Sequence, residues 1–134
     1  IKKKHDIYKM SGCTGTLRYM APEILFNNGE DYNLMIDIYS LALNFWFIAT
    51  GKRPFNEIDK NPHIIHLIKE GFRPNIGDVP DNIDLKRLIV RMWDTCPEMR
   101  PDIKVVFEEI TIITEKIEKD DRNASTTSRK CTIM

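Results

Sequence analysis

The stretch from Leu34 to Ala49 restricts the fold most, because it is apolar almost all the way round a helix. Asn33 is a candidate N-cap before it, and Gly51 and Pro54 are expected to end it. A helix without a polar face is normally buried inside a domain, and about 16 residues are too few to cross a bilayer comfortably. The sequence therefore predicts a central core helix against which the rest of the chain packs.

Shorter apolar patterns on either side of this stretch predict four further helices. The first begins at Pro22, another follows Asn61-Pro62, and the last begins at Pro101. One more helix lies before the last and has its apolar residues at i, i+3, i+4 and i+7, namely Leu85, Leu88, Ile89 and Met92. We find no strand pattern and no internal repeat. The expected fold is mainly α, with about five helices arranged around the buried central one.

Length and composition indicate one ordinary globular domain. The chain has 134 residues, of which 42% are hydrophobic and 30% charged. Residues 1–119 are predicted to form the domain, and the charged, Ser- and Thr-rich residues 120–134 a disordered tail. The net charge of zero argues against nucleic acid as a partner. The three cysteines are odd in number and far apart, which favours a reducing compartment over a disulfide framework.

Four short motifs follow one another along the chain. They read Thr-Gly-Thr-Leu-Arg-Tyr-Met-Ala-Pro-Glu over residues 14–23, Asp-Ile-Tyr-Ser over 37–40, Thr-Gly-Lys-Arg-Pro-Phe over 50–55, and Trp-Asp-Thr-Cys-Pro-Glu-Met-Arg-Pro over 93–101. In this order they resemble the second half of a eukaryotic protein kinase catalytic domain. The last motif, with Trp93 followed by Pro-x-x-Arg-Pro, is similar to that of the tyrosine-kinase-like group.

Glu23 and Arg100 each stand beside a proline among apolar residues. If both are buried, each needs a partner, and a bidentate ion pair would satisfy both. From the residues alone, two unrelated surface charges are the alternative. The resemblance implies the ion pair, because the Glu of the kinase Ala-Pro-Glu motif pairs with an Arg at this late position. It also makes Trp93 a structural anchor.

Asp37 and Thr16 match two further residues of the kinase pattern. By itself, Asp37 is an acid near the start of a helix, where the helix dipole favours it. The resemblance implies that Asp37 anchors the catalytic loop by accepting backbone hydrogen bonds. A Thr in a loop is normally a turn residue, but the resemblance implies that Thr16 helps to seat the substrate hydroxyl. Gly15-Thr16 together with Tyr19 is similar to Ser/Thr kinases rather than to tyrosine kinases.

Three hydroxyl residues, Tyr8, Ser11 and Thr14, precede this segment and are candidate phosphorylation sites. A phosphate on one of them would carry a charge of roughly −2 and would order the loop against an arginine. The resemblance places all three in the activation loop, where kinases are modified in this way. Ordinary unmodified loop hydroxyls are the alternative.

The parts of a kinase that bind ATP and Mg²⁺ are absent from this sequence. They are a Gly-rich loop, a strand lysine, a His-Arg-Asp loop and an Asp-Phe-Gly motif. His63 and His66 stand three residues apart without further ligands, so no metal site is expected. No catalytic residue is assigned to this chain, which begins with Ile1 rather than Met and is expected to be a fragment. As an isolated fragment it is expected to be inactive.

The resemblance implies the carboxy-terminal fragment of a Ser/Thr protein kinase. In the full-length protein, with the missing N-terminal part of the domain, the kinase would transfer the γ-phosphate of ATP to protein substrates in signalling. A pseudokinase, a kinase-fold binding module without phosphoryl transfer, is the alternative. Four intact motif residues argue against it, namely Thr16, Glu23, Asp37 and Arg100. A stand-alone helical interaction domain is the third hypothesis.

The sequence ends Cys131-Thr-Ile-Met134, which fits the prenylation pattern. A single lipid chain gives only weak and reversible membrane binding. Lipidation would therefore make a cytoplasmic protein partly membrane-associated. A chance cysteine in a polar tail is the alternative.

Overall fold

The computed structural model describes the backbone of residues 17–27 and 33–133, and side chains as far as residue 124. This part of the chain contains five α-helices, which are α1 (Pro22–Asn27), α2 (Leu34–Thr50), α3 (Asn61–Lys69), α4 (Ile83–Met92) and α5 (Ile103–Ile133). Three short 3₁₀ turns accompany them, at Leu17–Tyr19, Ile76–Asp78 and Pro97–Met99. No strand occurs among these residues. The prediction of a mainly α fold is confirmed.

Local signals set both ends of α2, the central helix. The side chain of Asn33 accepts a hydrogen bond from the backbone N–H of Met35 at 2.8 Å, as an N-cap does. Gly51 adopts the left-handed conformation, with a φ of 70°, and its N–H donates to the carbonyl of Phe47 at 2.8 Å. The helix therefore begins and ends where the cap residues of the sequence predict.

Burial of α2 is one-sided within the described structure. Its buried residues are Ile36, Ile38, Tyr39, Ala42, Leu43 and Trp46. Another face exposes the residues Leu34, Asp37, Asn44 and Ile48. Leu34 and Ile48 are 74% and 75% exposed although both are apolar. The prediction of a helix buried all round is wrong for this face, because the described residues cover only part of the helix surface.

Two apolar clusters hold the helices of residues 17–102 together. In the first, α4 packs against α2 and buries Leu88, Ile89 and Met92. These three belong to the stripe predicted from the sequence. The second joins the first 3₁₀ turn to α3 through the residues Leu17, Phe55, Ile64 and Ile68. Each side chain of this kind contributes about 1.5–3 kcal/mol when it leaves water.

The helix α3 begins slightly differently from the prediction. Lys60 occupies the N-cap position without a side-chain hydrogen bond, and Asn61 is the first helical residue. Pro62 lies in the first turn, where the missing N–H of proline costs no hydrogen bond. The predicted cap is therefore shifted by one residue, whereas the position of the helix is as expected.

The helix α5 belongs to a second compact unit, residues 103–134, and is described by itself. It continues to Ile133, whereas the sequence predicts a disordered tail from residue 120. Residues 120–134 contain no Pro or Gly, and extending an existing helix costs much less than starting one. The boundary of a domain at residue 119 stays a prediction. None of the helices in the described residues is long and apolar enough to cross a membrane.

Gly51→Ala is expected to lower the free energy of unfolding by about 1–2 kcal/mol, because a Cβ disfavours the left-handed backbone. Apart from the adjoining backbone, no atom lies within 4 Å of the position that this Cβ would take, so repulsion from the rest of the fold adds nothing. Gly51→Asn is the matched control, since Asn tolerates this conformation better. Denaturant unfolding of the intact protein measures both variants, and equal losses for Ala and Asn would contradict the prediction.

Candidate functional site

An ion pair joins α1 to the last of the four motifs. Nη1 and Nη2 of Arg100 donate to Oε1 and Oε2 of Glu23, each at 2.8 Å. The side chain of Arg100 is fully buried and that of Glu23 is 15% exposed. The bidentate pair predicted from the sequence is thus present, and each partner compensates the other's charge away from water.

Arg100 also contacts two further segments of the chain. Its Nε donates to the carbonyl of Asp94 at 2.8 Å, in the loop after α4. Its Nη1 donates to the carbonyl of Met35 at 2.7 Å, in the first turn of α2. One guanidinium therefore holds three segments in fixed positions relative to one another.

Tyr39 on α2 contacts Arg100 and a second arginine, Arg73. The guanidinium carbons of Arg73 and Arg100 lie 5.1 and 5.2 Å from the centroid of the Tyr39 ring, within the range of cation–π attraction. Burial raises the pKa of Tyr39 to about 12, so its hydroxyl stays protonated at neutral pH. No described residue accepts a hydrogen bond from this hydroxyl.

Arg18, which lies in the first 3₁₀ turn before α1, binds the loop after α2. It is 3% exposed and donates to the carbonyl oxygens of Pro54 at 3.0 Å and Ile58 at 2.8 Å, and also to that of Phe55. Phe55 has a left-handed φ of 53°, a strained conformation for a residue with a side chain. Burial lowers the pKa of Arg18. The buried guanidinium thus fixes the loop after α2 on the segment 17–23.

One more contact, between Ser40 and Tyr19, holds the first 3₁₀ turn on α2. The hydroxyl of Ser40 on α2 donates to the carbonyl of Tyr19 at 2.8 Å and so holds the 3₁₀ turn. Burial raises the pKa of Tyr19. Asp37, three residues before Ser40, is exposed. Its expected partner, the catalytic loop, is no part of this sequence, so the anchoring role of Asp37 stays a prediction.

Trp93 is buried, 6% exposed, and its carbonyl accepts a hydrogen bond from Nε of Arg73 at 2.9 Å. The remaining candidates lie outside the described residues. They are Tyr8, Ser11, Thr14 and Thr16, together with the side chain of Cys131 in α5. The roles of these residues therefore stay predictions.

Three residues of this site were not predicted from the sequence, namely Arg18, Tyr39 and Arg73. A usable signal existed for Arg73, which stands between Phe72 and Pro74. This is the same setting beside a proline that drew attention to Glu23 and Arg100. The partners of Arg18 had no signal, because they lie 36 to 40 residues further along the chain.

The chemistry of these groups is structural. Glu23 is ion-paired, and Tyr39 is neutral and buried. Among the described residues, no group of His, Cys, Asp and Glu side chains could hold a metal ion. The arrangement therefore fixes backbone and provides no general base or metal ligand set of its own.

Comparison with known proteins gives a consistent result. The profile of the protein kinase domain matches residues 1–111. The chain is 31% identical over 120 residues to serine/threonine-protein kinase VIK of Arabidopsis thaliana, a match that covers 90% of this chain and 27% of that protein. It is 37% identical over 106 residues to serine/threonine-protein kinase TNNI3K of Homo sapiens, covering 78% of this chain and 12% of that protein. It is also 32% identical over 123 residues to receptor-interacting serine/threonine-protein kinase 4 of Mus musculus, a match that covers 87% of this chain and 15% of that protein. The chain thus spans only a small part of these relatives.

Arg100→Ala is expected to destabilise the intact protein by about 3–5 kcal/mol, because it leaves the carboxylate of Glu23 without its partner. Lys52→Ala is the matched control. It removes a surface ion pair to Asp78 at 3.6 Å, with side chains 59% and 33% exposed, and is expected to cost no more than about 1 kcal/mol. Thermal unfolding measures both, and a similar shift for the two variants would contradict the importance of the buried pair.

Proposed function

Because the chain belongs to the protein kinase domain family, we propose that it is the carboxy-terminal part of a Ser/Thr protein kinase of the tyrosine-kinase-like group. The complete protein transfers the γ-phosphate of ATP to Ser or Thr hydroxyls of protein substrates in signalling. The Gly15-Thr16 and Tyr19 pattern supports the Ser/Thr preference, as do the relatives, which are named serine/threonine kinases.

The observation that carries this proposal is the fixed backbone of residues 17–23. Arg18 holds one end, Arg100 holds the other through Glu23, and Ser40 holds the turn between them. Thr16 directly precedes this segment. Phosphoryl transfer depends on accurate placement of the accepting hydroxyl, and a rigid segment is the support that such placement needs. The geometry therefore supports the substrate-seating role that the resemblance gives to Thr16.

The exposed face of α2 supports a missing N-terminal part of the domain. Leu34 and Ile48 are largely exposed on the most apolar helix of the chain, with Asp37 on the same face. Covering these two side chains would contribute about 1.5–3 kcal/mol for each. The covering part would also bring backbone N–H groups to Asp37, as expected for an anchor of the catalytic loop.

ATP and Mg²⁺ belong to that missing part in this proposal. The described residues contain no carboxylate group set for a metal ion, and the sequence contains none of the phosphate-binding motifs. The residues of this chain therefore do not fit the cofactors, and we assign them no step of the transfer. Their contribution is to seat the substrate and to support the catalytic loop, so the isolated chain is inactive.

Thr16→Ala in the full-length protein is expected to lower kcat for a Ser/Thr peptide by roughly 10- to 100-fold and to change KM less, because it disturbs the placement of the hydroxyl. Steady-state phosphorylation of a peptide library measures this, with Lys52→Ala, a substitution of an exposed surface residue, as the control. Phosphorylation of tyrosine alone would contradict the proposed specificity. A wild-type protein that transfers no phosphate would favour the pseudokinase alternative.

We also propose a cytoplasmic protein with weak membrane association through a prenyl group on Cys131, provided that the mature chain ends at Met134. The backbone at Cys131 lies in α5, so this end of the helix would have to unwind to enter the extended groove of a prenyltransferase. One lipid chain supports only reversible binding. Mass spectrometry of the native protein is expected to find a prenylated Cys131 that has lost Thr-Ile-Met, and an unmodified terminus would exclude this proposal.

A further inference from the structure

Arg73 is a half-buried cation that the proposed function leaves without a task. It follows α3 in the chain and donates only to uncharged oxygens. The carbonyls of Trp93 and Phe72 accept from its Nε and Nη1, both at 2.9 Å, and the hydroxyl of Thr95 accepts from its Nη2 at 3.0 Å. Burial is the main cause that lowers the pKa of Arg73; the charge of Arg100 also lowers it, whereas Tyr39, Asp94 and Glu23 act in the opposite direction. These hydrogen bonds fix the position of the guanidinium group between the loop after α3 and the loop after α4.

Arg73 and Arg100 are linked twice. Both guanidinium groups lie over the ring of Tyr39, at 5.1 and 5.2 Å, and the electron-rich ring attracts both cations. Both also bind consecutive residues after α4, since Arg73 holds Trp93 and Thr95 and Arg100 holds the carbonyl of Asp94 between them. A displacement of Arg73 would therefore loosen two supports of Arg100 at once.

We propose that Arg73 is a positioning residue, which acts through Tyr39 and residues 93–95 on Arg100, and through Arg100 on Glu23 and the segment 17–23. None of the hydrogen bonds of Arg73 goes to this segment, so any influence has to pass through these intermediates. The loop after α3 and the segment 17–23 thus belong to one network of hydrogen bonds and cation–π contacts. The contacts belong to the described structure, whereas the coupling between them is the proposal, and its consequence for catalysis rests on the proposed kinase function.

Hydrogen exchange of the full-length protein tests the coupling without any need for activity. Arg73→Ala is expected to speed exchange of the amides in residues 17–23 by roughly tenfold, in the middle of the range of coupling between residues of one network. A purely local role would speed exchange only around residues 72–75 and 93–96, and that result would overturn the proposal. Lys52→Ala, a surface substitution, is expected to leave both regions unchanged.

Variants of Tyr39 and Arg73 identify the route. Tyr39→Phe keeps the ring and is expected to preserve the effect of Arg73→Ala. In a Tyr39→Leu background, Arg73→Ala is expected to speed exchange by roughly threefold instead of tenfold, because only the route through residues 93–95 remains. Arg73→Lys keeps a cation over the ring but loses the forked hydrogen bonds, and an intermediate effect is expected. If Tyr39→Leu does not fold, Arg73→Lys tests the part played by Tyr39. An effect of Arg73→Lys as large as that of Arg73→Ala would mean that the coupling passes through residues 93–95 alone, and it would overturn the part assigned to Tyr39.

A kinase assay then separates this inference from the proposed function. In the full-length protein, Arg73→Ala is expected to lower kcat for a protein substrate by roughly tenfold and to change KM less, because it loosens the segment that supports Thr16 and so disturbs the placement of the accepting hydroxyl. Faster exchange at residues 17–23 in a protein that transfers no phosphate would support the positioning role and refute the kinase function. If the full-length protein is an active kinase but Arg73→Ala leaves exchange at residues 17–23 unchanged, the kinase function is supported and the positioning role is refuted.

Discussion

The arrangement of residues 17–102 depends on the burial of one guanidinium group. Arg100 has no access to water, so the protein must supply the acceptors for its N–H groups. They come from Glu23 on α1, from Met35 on α2 and from Asp94 after α4. A segment that moved away would leave a buried charge or donor without a partner, at a cost of about 1–3 kcal/mol or more. The three segments therefore keep their positions together.

Apolar packing and the buried arginines contribute differently to this structure: the first stabilises it, and the second fixes the path of the chain. The clusters of α2 with α4 and of α3 with the first 3₁₀ turn supply most of the favourable free energy, but apolar contact has no preferred direction. The hydrogen bonds of Arg18 and Arg100 are directional. They select one path for the chain between Leu17 and Glu23 among the many that would bury the same apolar surface. In a protein whose proposed activity requires an accurately placed substrate segment, this selection is what connects the fold to the function.

The exposed face of α2 shows how far the packing of the described residues extends. A helix with apolar residues on all sides is stable only when it is covered on all sides. Here Leu34 and Ile48 remain exposed on the same helix whose opposite residues, such as Leu43, are fully buried. In the proposed kinase, the remainder of the domain would pack on this uncovered face, on which the polar residue Asp37 also lies.

Several elements were predictable because their causes are local. Asn33 and Gly51 cap α2 through contacts within four residues, and the stripe that ends in Met92 gives α4 its buried face from its spacing alone. The neighbouring prolines and the motif order pointed to the pairing of Glu23 with Arg100. By contrast, the continuation of α5 through residues 120–133 was missed, since a charged and Ser- and Thr-rich composition does not distinguish a disordered tail from a solvated helix.

The sequence by itself determined where the helices begin and both caps of α2, and its motifs, through their resemblance to a known family, indicated one ion pair. Only the tertiary structure decided which carbonyls accept hydrogen bonds from Arg18 and which face of α2 stays uncovered. It also decided that Arg73 and Arg100 both lie over the ring of Tyr39. The physical reason is distance along the chain. Glu23 and Arg100 are 77 residues apart, and an acceptor that any backbone carbonyl could provide leaves no mark in the sequence, because every residue has one.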